Sequence, residues 1–143
     1  MIDAIYNKDV LRLAADITGI ETIKNPDATV SLRSPLCGSS IEISVIVIDE
    51  CITEYSQKIK ACALGQASAS VVAKAVIGKT REEINAARDR TKEMLENGAT
   101  LPEGDWAPLV ALAPAKELKP RHGAILLPFD ALLKALKQKY IKK

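Results

Sequence analysis

The chain has 143 residues, 48% hydrophobic and 27% charged, which is enough apolar material for a packed core and argues against disorder. Aromatic residues make up only 3%, so Ile, Val, Leu and Ala must build that core. A net charge of +2 is too small to point to nucleic acid.

The N-terminal stretch "MIDAIYNKDV" carries acids and lacks the apolar region of a signal peptide. No apolar run approaches the ~20 residues needed to span a bilayer. The expected location is therefore the cytoplasm, with no membrane partner. There the three cysteines, Cys37, Cys51 and Cys62, stay reduced as free thiols or thiolate ligands.

In chain order, residues 5–18 predict a helix carrying Leu11, Leu13, Ala14, Ala15 and Ile17, with Gly19 as its C-cap. Asn25-Pro26 breaks the chain, and residues 29–33 read as a short edge strand. From Ile41 to Asp49 the β-branched run "IEISVIVID" predicts a strand with Ile41, Ile43, Val45 and Val47 on one face. Asp49-Glu50 makes a tight turn and "ITEYSQKIKA" returns antiparallel. Its wet face carries Glu54, Ser56, Lys58 and Lys60, and its other face Tyr55, Ile59 and Ala61.

Small apolar residues from Ala63 to Gly78 predict a helix too apolar for the surface, packed in the middle of the domain. Thr80 and Glu83 form a capping box that opens a helix to Asn97, with Ile84, Ala87, Thr91 and Met94 inward and Gly98 as its stop. Residues 99–120 hold four prolines and the sole tryptophan, and predict an ordered loop with a short helix from Trp106 to Leu112. A last helix runs from Pro120 to Tyr140, with a kink or break at Pro128. The lysines crowding its end (Lys134, Lys137, Lys139, Lys142 and Lys143) read as a solvated helix terminus. The fold class is α+β, a small antiparallel sheet of about three strands packed against several helices, in one domain spanning residues 1–143.

Few side chains bear chemistry. Cys37 sits in the turn "SPLCGSS" between β-elements, and Cys62 immediately precedes a helix. A helix N-terminus presents unpaired N–H groups and roughly half a positive charge, which favours an anionic sulfur and suits a metal ligand or nucleophile. Cys51 falls in the hairpin turn at the far end of the strands and reads as structural. His122, the sole histidine, lies in the first turn of the last helix, where a neutral imidazole can ligate metal. No nucleophile–base–acid constellation and no phosphate-cradling loop is present, so the chain does not read as a conventional hydrolase or transferase.

Four segments carry a family likeness. "KNP" at 24–26, "PLCG" at 35–38, "CALGQASAS" at 62–70 and "GKT" at 78–80 follow one another in the order found in the IscU/NifU/SufU-type iron–sulfur cluster assembly scaffolds. The chain resembles that family over nearly its whole length. It is most similar to the SufU-type branch, whose extra segment before the last helix corresponds to residues 99–117. The resemblance implies a SufE/NifU/IscU-like α+β fold and a scaffold that is not an enzyme. Such a scaffold holds iron, a nascent [2Fe–2S] cluster or zinc, and takes sulfur from a cysteine desulfurase before passing a cluster to acceptor proteins.

By that resemblance Cys37 and Cys62 stand at the first two ligand cysteines. Two departures are visible: Ser39 stands where the family has the aspartate of its C-G-D motif, and Ala124 where it has the third cysteine. A serine hydroxyl is a poor metal ligand beside a carboxylate. His122 is then the candidate substitute ligand. Alternatively, a homodimer pools four thiolates around one cluster. A third reading is a non-metal member acting as a protein-interaction or regulatory module in iron–sulfur assembly.

Overall fold

The computed structural model of the chain describes residues 7–35 and 38–141. Its elements are α1 (Lys8–Ala15), β1 (Ala28–Arg33), β2 (Ser40–Ile48), β3 (Cys51–Lys60), α2 (Ala63–Ala75), α3 (Arg81–Glu96), a 3-10 helix (Gly104–Glu117) and α4 (Lys119–Ile141).

The strands form one antiparallel sheet in the order β1-β2-β3. Because paired residues share a face, the register Val30↔Ile43↔Gln57 defines the inner face, with Ile43 fully buried. The rungs Ser31↔Glu42↔Lys58 and Arg33↔Ser40↔Lys60 then lie on the outer face. Asp49 and Glu50 close the β2–β3 hairpin with φ of 51° and 64°, the left-handed pair that a two-residue turn of this twist requires. α2 and α4 pack on the inner side of the sheet, and α3 and the 3-10 helix extend the same core.

α2 is buried almost all round, because ten of its residues from Leu64 to Ala75 face neighbours. Its small side chains let α4 approach closely. The expected capping box opens α3: the Thr80 hydroxyl accepts from the Glu83 N–H at 3.2 Å and the Glu83 carboxylate from the Thr80 N–H at 3.1 Å. Ile84, Ala87, Thr91 and Met94 face inward as expected.

Four expectations are corrected. The first helix spans Lys8–Ala15, and not residues 5–18, of which 5 and 6 lie outside the described residues. Past its end the chain is held by other partners: the Asp16 carbonyl accepts from the Ser70 hydroxyl (3.0 Å), that of Thr18 from Gln57 Nε2 (2.9 Å) and that of Gly19 from the Gln57 N–H (2.7 Å). Ser56 is buried although its rung faces outward, since residues 16–20 run alongside β3 at this point. The short helix expected from Trp106 to Leu112 is instead a 3-10 helix over Gly104–Glu117, holding Pro108 and Pro114. Finally, α4 is not broken at Pro128, because Ile125, Leu126, Leu127, Phe129, Ala131 and Leu132 are buried on either side of it.

Candidate functional site

One pole of the molecule gathers the ends of four elements: the loop joining β1 to β2, the end of β3, the start of α2 and the start of α4. Cys62 is the N-cap residue of α2, in extended backbone (φ −67°, ψ 172°). Its carbonyl accepts from the Gln66 N–H at 2.9 Å, starting the helix, while its side chain makes no capping bond and remains partly exposed. The thiol is thus carried at the N-terminus of a 13-residue helix without bonding to its N–H groups.

The loop between β1 and β2 is pinned at both ends. The Ser34 N–H donates to the Ser39 carbonyl at 2.8 Å and the Gly38 N–H to the Ser34 carbonyl at 3.0 Å. Gly38 takes φ 73°, which a side chain would resist. Ser34 and Ser39 are both buried. Cys37, the first candidate ligand, lies outside the described residues.

α4 meets both neighbours through residues that have little or no side chain. A Cβ on Gly123 would come within 2.6 Å of the Ser34 hydroxyl, so the loop seats directly on the α4 backbone. A Cβ on Gly65 would lie 3.4 Å from that of Ala124. The Ser68 hydroxyl donates to the Ile125 carbonyl at 2.5 Å, fastening α2 to α4 one turn further in. Ala124, at the position the resemblance gives to a third cysteine, therefore faces the first turn of α2, close to Cys62, and is fully buried.

His122 is half-buried, and its Nε2 donates to the Ala115 carbonyl of the 3-10 helix at 2.9 Å. A carbonyl only accepts, so Nε2 carries the proton and Nδ1 alone is left to ligate. Cys51 begins β3 at the opposite pole, paired with Ile48 and bridged to Thr80. Among the described residues no three His, Cys, Asp or Glu side chains converge in a way that could hold a metal ion.

A buried polar chain that the sequence did not single out supports α2. The Tyr55 hydroxyl donates to the Gln57 Oε1 at 3.1 Å, and Gln57 Nε2 donates to Ala69 on α2 at 3.2 Å as well as to Thr18. Burial pushes the Tyr55 phenol well above its ordinary 10.0, so it stays a neutral donor. The signal available was a lone glutamine on the inward side of an alternating strand.

Comparison with known proteins fits this geometry. Residues 5–106 match the family model described as NifU-like N terminal domain. The iron-sulfur cluster assembly scaffold protein IscU of Streptococcus pyogenes serotype M1 is 28% identical over 109 residues, covering 76% of this chain and 69% of the relative. The crystal structure of a nitrogen-fixing NifU-like protein (N-terminal) from Brucella abortus superposes with a TM-score of 0.94 at 40% identity, over 99% of each chain. A putative iron-sulfur cluster assembly scaffold protein for the SUF system from Fervidobacterium islandicum AW-1 shares the fold, with a TM-score of 0.81 at 21% identity over 94% of this chain and 98% of that one. The chain belongs to the NifU-like N-terminal domain family, the iron–sulfur cluster assembly scaffolds of the IscU, NifU and SufU type.

Proposed function

We propose that this chain is a scaffold with a two-thiolate half-site, Cys37 and Cys62, which accepts sulfur and holds iron or a nascent [2Fe–2S] cluster between two copies. The observation that carries the reading is Cys62 itself: an N-cap thiol, partly exposed, with no side-chain bond to the helix it caps. Sulfur arrives as the outer atom of a persulfide on a donor protein, a cysteine desulfurase. The Cys62 thiolate attacks that atom, the donor's S–S bond breaks, the donor cysteine leaves as thiolate, and a new S–S bond forms at Cys62 with no net oxidation. The chain is consumed stoichiometrically in this step and is not an enzyme. The reading places it in the cytoplasm, where thiols stay reduced, and gives its cluster to acceptor proteins.

Within one chain the donors do not complete a tetrahedral site. Alanine replaces the third thiolate, and Ser39 offers a hydroxyl in place of a carboxylate. Two copies supply the four thiolates that a [2Fe–2S] cluster needs. A second reading, a non-metal interaction module, draws on a different observation, the burial of Ala124 where a ligand would sit.

The test is anaerobic reconstitution, with iron, zinc and acid-labile sulfide counted per chain. The scaffold reading expects about one iron and one sulfide per chain, in a dimer, abolished by Cys37→Ser and by Cys62→Ser. Zinc alone, lost in His122→Ala, assigns the third ligand to the histidine. No metal under any condition leaves the interaction module.

A further inference from the structure

The outer face of the sheet is uncovered at the end that leads to Cys62. A depression of about 580 Å³ lies there, lined by residues 31–33 of β1, 40–42 of β2 and 58–60 of β3. Its last rung is Arg33↔Ser40↔Lys60, so two cations flank a serine directly across the sheet. Lys58 stands one rung further in. The one carboxylate of the depression, Glu42, is already shared, 3.9 Å from Lys58 and 3.5 Å from the Ser31 hydroxyl that donates to it. Arg33 and Lys60 are exposed, and neither has an acidic partner among the described residues.

Chain connectivity makes this rung more than surface decoration. Arg33 leads straight into the loop that holds Cys37, and Lys60 precedes Cys62 by two residues. The other end of the same face is acidic, with exposed Glu54, Asp49 and Glu50 around the hairpin. Along β2 the two ends are separated by eight steps, roughly 26 Å at about 3.3 Å per residue. Screening at physiological salt acts over about 8 Å, so the acidic end does not cancel the basic one. A chain of nearly neutral net charge thus presents a local cationic patch at the strand end that leads to Cys62 and an anionic patch far from it. Such a face attracts carboxylates and sets the direction in which a partner lies.

We infer that the Arg33–Ser40–Lys60 rung is a docking surface for a carboxylate-rich segment of the protein that exchanges sulfur with Cys62. This rests on the scaffold reading for the partner's role, but not for the surface itself. Docking there lays the partner along the strand ends from which both thiol-bearing segments emerge, with its own acidic surface kept off the hairpin by Asp49, Glu50 and Glu54. The exposed lysines of α4, Lys134 and Lys137, are the competing cationic site, since Lys139 is paired with Asp27.

The probe is a fluorescein-labelled ten-residue peptide of alternating Glu and Ser, followed by anisotropy and by amide chemical-shift mapping on the intact chain. The expected result is shifts confined to β1, the start of β2 and the end of β3, with binding weakened at least about tenfold by Arg33→Glu with Lys60→Glu and by added salt. Lys134→Glu with Lys137→Glu should leave it unchanged. Both pairs are on the surface, and circular dichroism confirms the fold of each. Shifts centred on α4, or equal loss from both double variants, overturn the proposal. Iron and sulfide loading of the same samples separates the two readings. A chain that loads but ignores the peptide loses the docking surface and keeps the scaffold function. A chain that binds the peptide at the rung but never loads overturns the assignment to a sulfur-exchanging partner.

Discussion

Ala124 and Gly65 face each other across the contact between α4 and α2, close enough that a methyl on Gly65 would lie 3.4 Å from the Ala124 Cβ. That contact sits one turn into α2 from Cys62, so position 124 lies beside the helix start that carries this thiol. A sulfur at 124 should therefore complete three thiolates. Ala124→Cys is expected to turn weak or shared metal binding into tight zinc binding by one chain, raising affinity at least about tenfold. Chelator competition, with cobalt as the spectroscopic stand-in for zinc, measures it. Unchanged affinity would mean that position 124 does not address the Cys62 site.

Gly65 has no freedom to gain a side chain. Its added Cβ would stand 2.7 Å from the Ala61 Cβ, closer than carbon atoms tolerate, besides touching Ala124. Gly65→Ala gains helix propensity of up to about 1 kcal/mol. It must, however, push the first turn of α2 off β3 or off α4, and overpacking of this kind costs about 1–3 kcal/mol. The net expectation is a lower thermal midpoint, accompanied by altered alkylation of Cys62, whose backbone belongs to the displaced turn. Gly65→Ala with a raised midpoint and unchanged Cys62 labelling would contradict it.

Much of the fold was legible in the sequence where local signals and tertiary demands agree. The β-branched run of β2, the Asp49-Glu50 turn and the Thr80–Glu83 capping box each form where the sequence puts them, the turn at the cost of positive φ at two non-glycine residues. Cys62 was placed at a helix start and caps α2. What was not legible depends on partners remote in sequence. The course of the chain after α1 is fixed by Ser70 and Gln57, some forty or more residues on, which take the Asp16, Thr18 and Gly19 carbonyls. α4 runs unbroken through Pro128 because apolar burial on both sides outweighs one missing N–H. The 3-10 helix escapes periodicity arguments, since Pro108 and Pro114 remove donors while Trp106, Leu109, Leu112 and Ala115 still find the core. The contact of Gly65 with Ala124 was invisible for the same reason: nothing local announces where two helices cross.

Ser68 fastens those helices, its fully buried hydroxyl donating to the Ile125 carbonyl. Ser68→Ala should cost about 1–3 kcal/mol, because the carbonyl loses a partner where no water reaches. Ser70→Ala makes a useful comparison, since that hydroxyl donates to Asp16 at 3.0 Å and ties α2 to the α1 linker instead. Chemical denaturation gives both stabilities. Only the Ser68 variant should also change Cys62 alkylation, since its bond holds α2 to the helix that bears Ala124. Equal effects of the two variants on Cys62 would show that the α2–α4 fastening does not position the thiol.

Asp27 links the far pole to pH. Its carboxylate accepts from the Val47 N–H at 2.8 Å and lies 3.2 Å from the Lys139 ammonium. The backbone bond is the larger cause holding its pKa below the ordinary 3.8, with Lys139 adding to it against the opposing effect of burial. A carboxyl depressed in the folded state binds fewer protons there than in the unfolded chain. Its stabilisation is therefore fully present above the unfolded value, near 3.8, and is lost as pH falls through the lower folded value. Asp27→Asn keeps the shape and removes the titration. The variant should be less stable than the parent at pH 7, and the gap should close as the pH drops below about 4. Thermal midpoints between pH 2 and pH 7 measure the gap; one that stays constant across that range would remove Asp27 from the acid response of the fold.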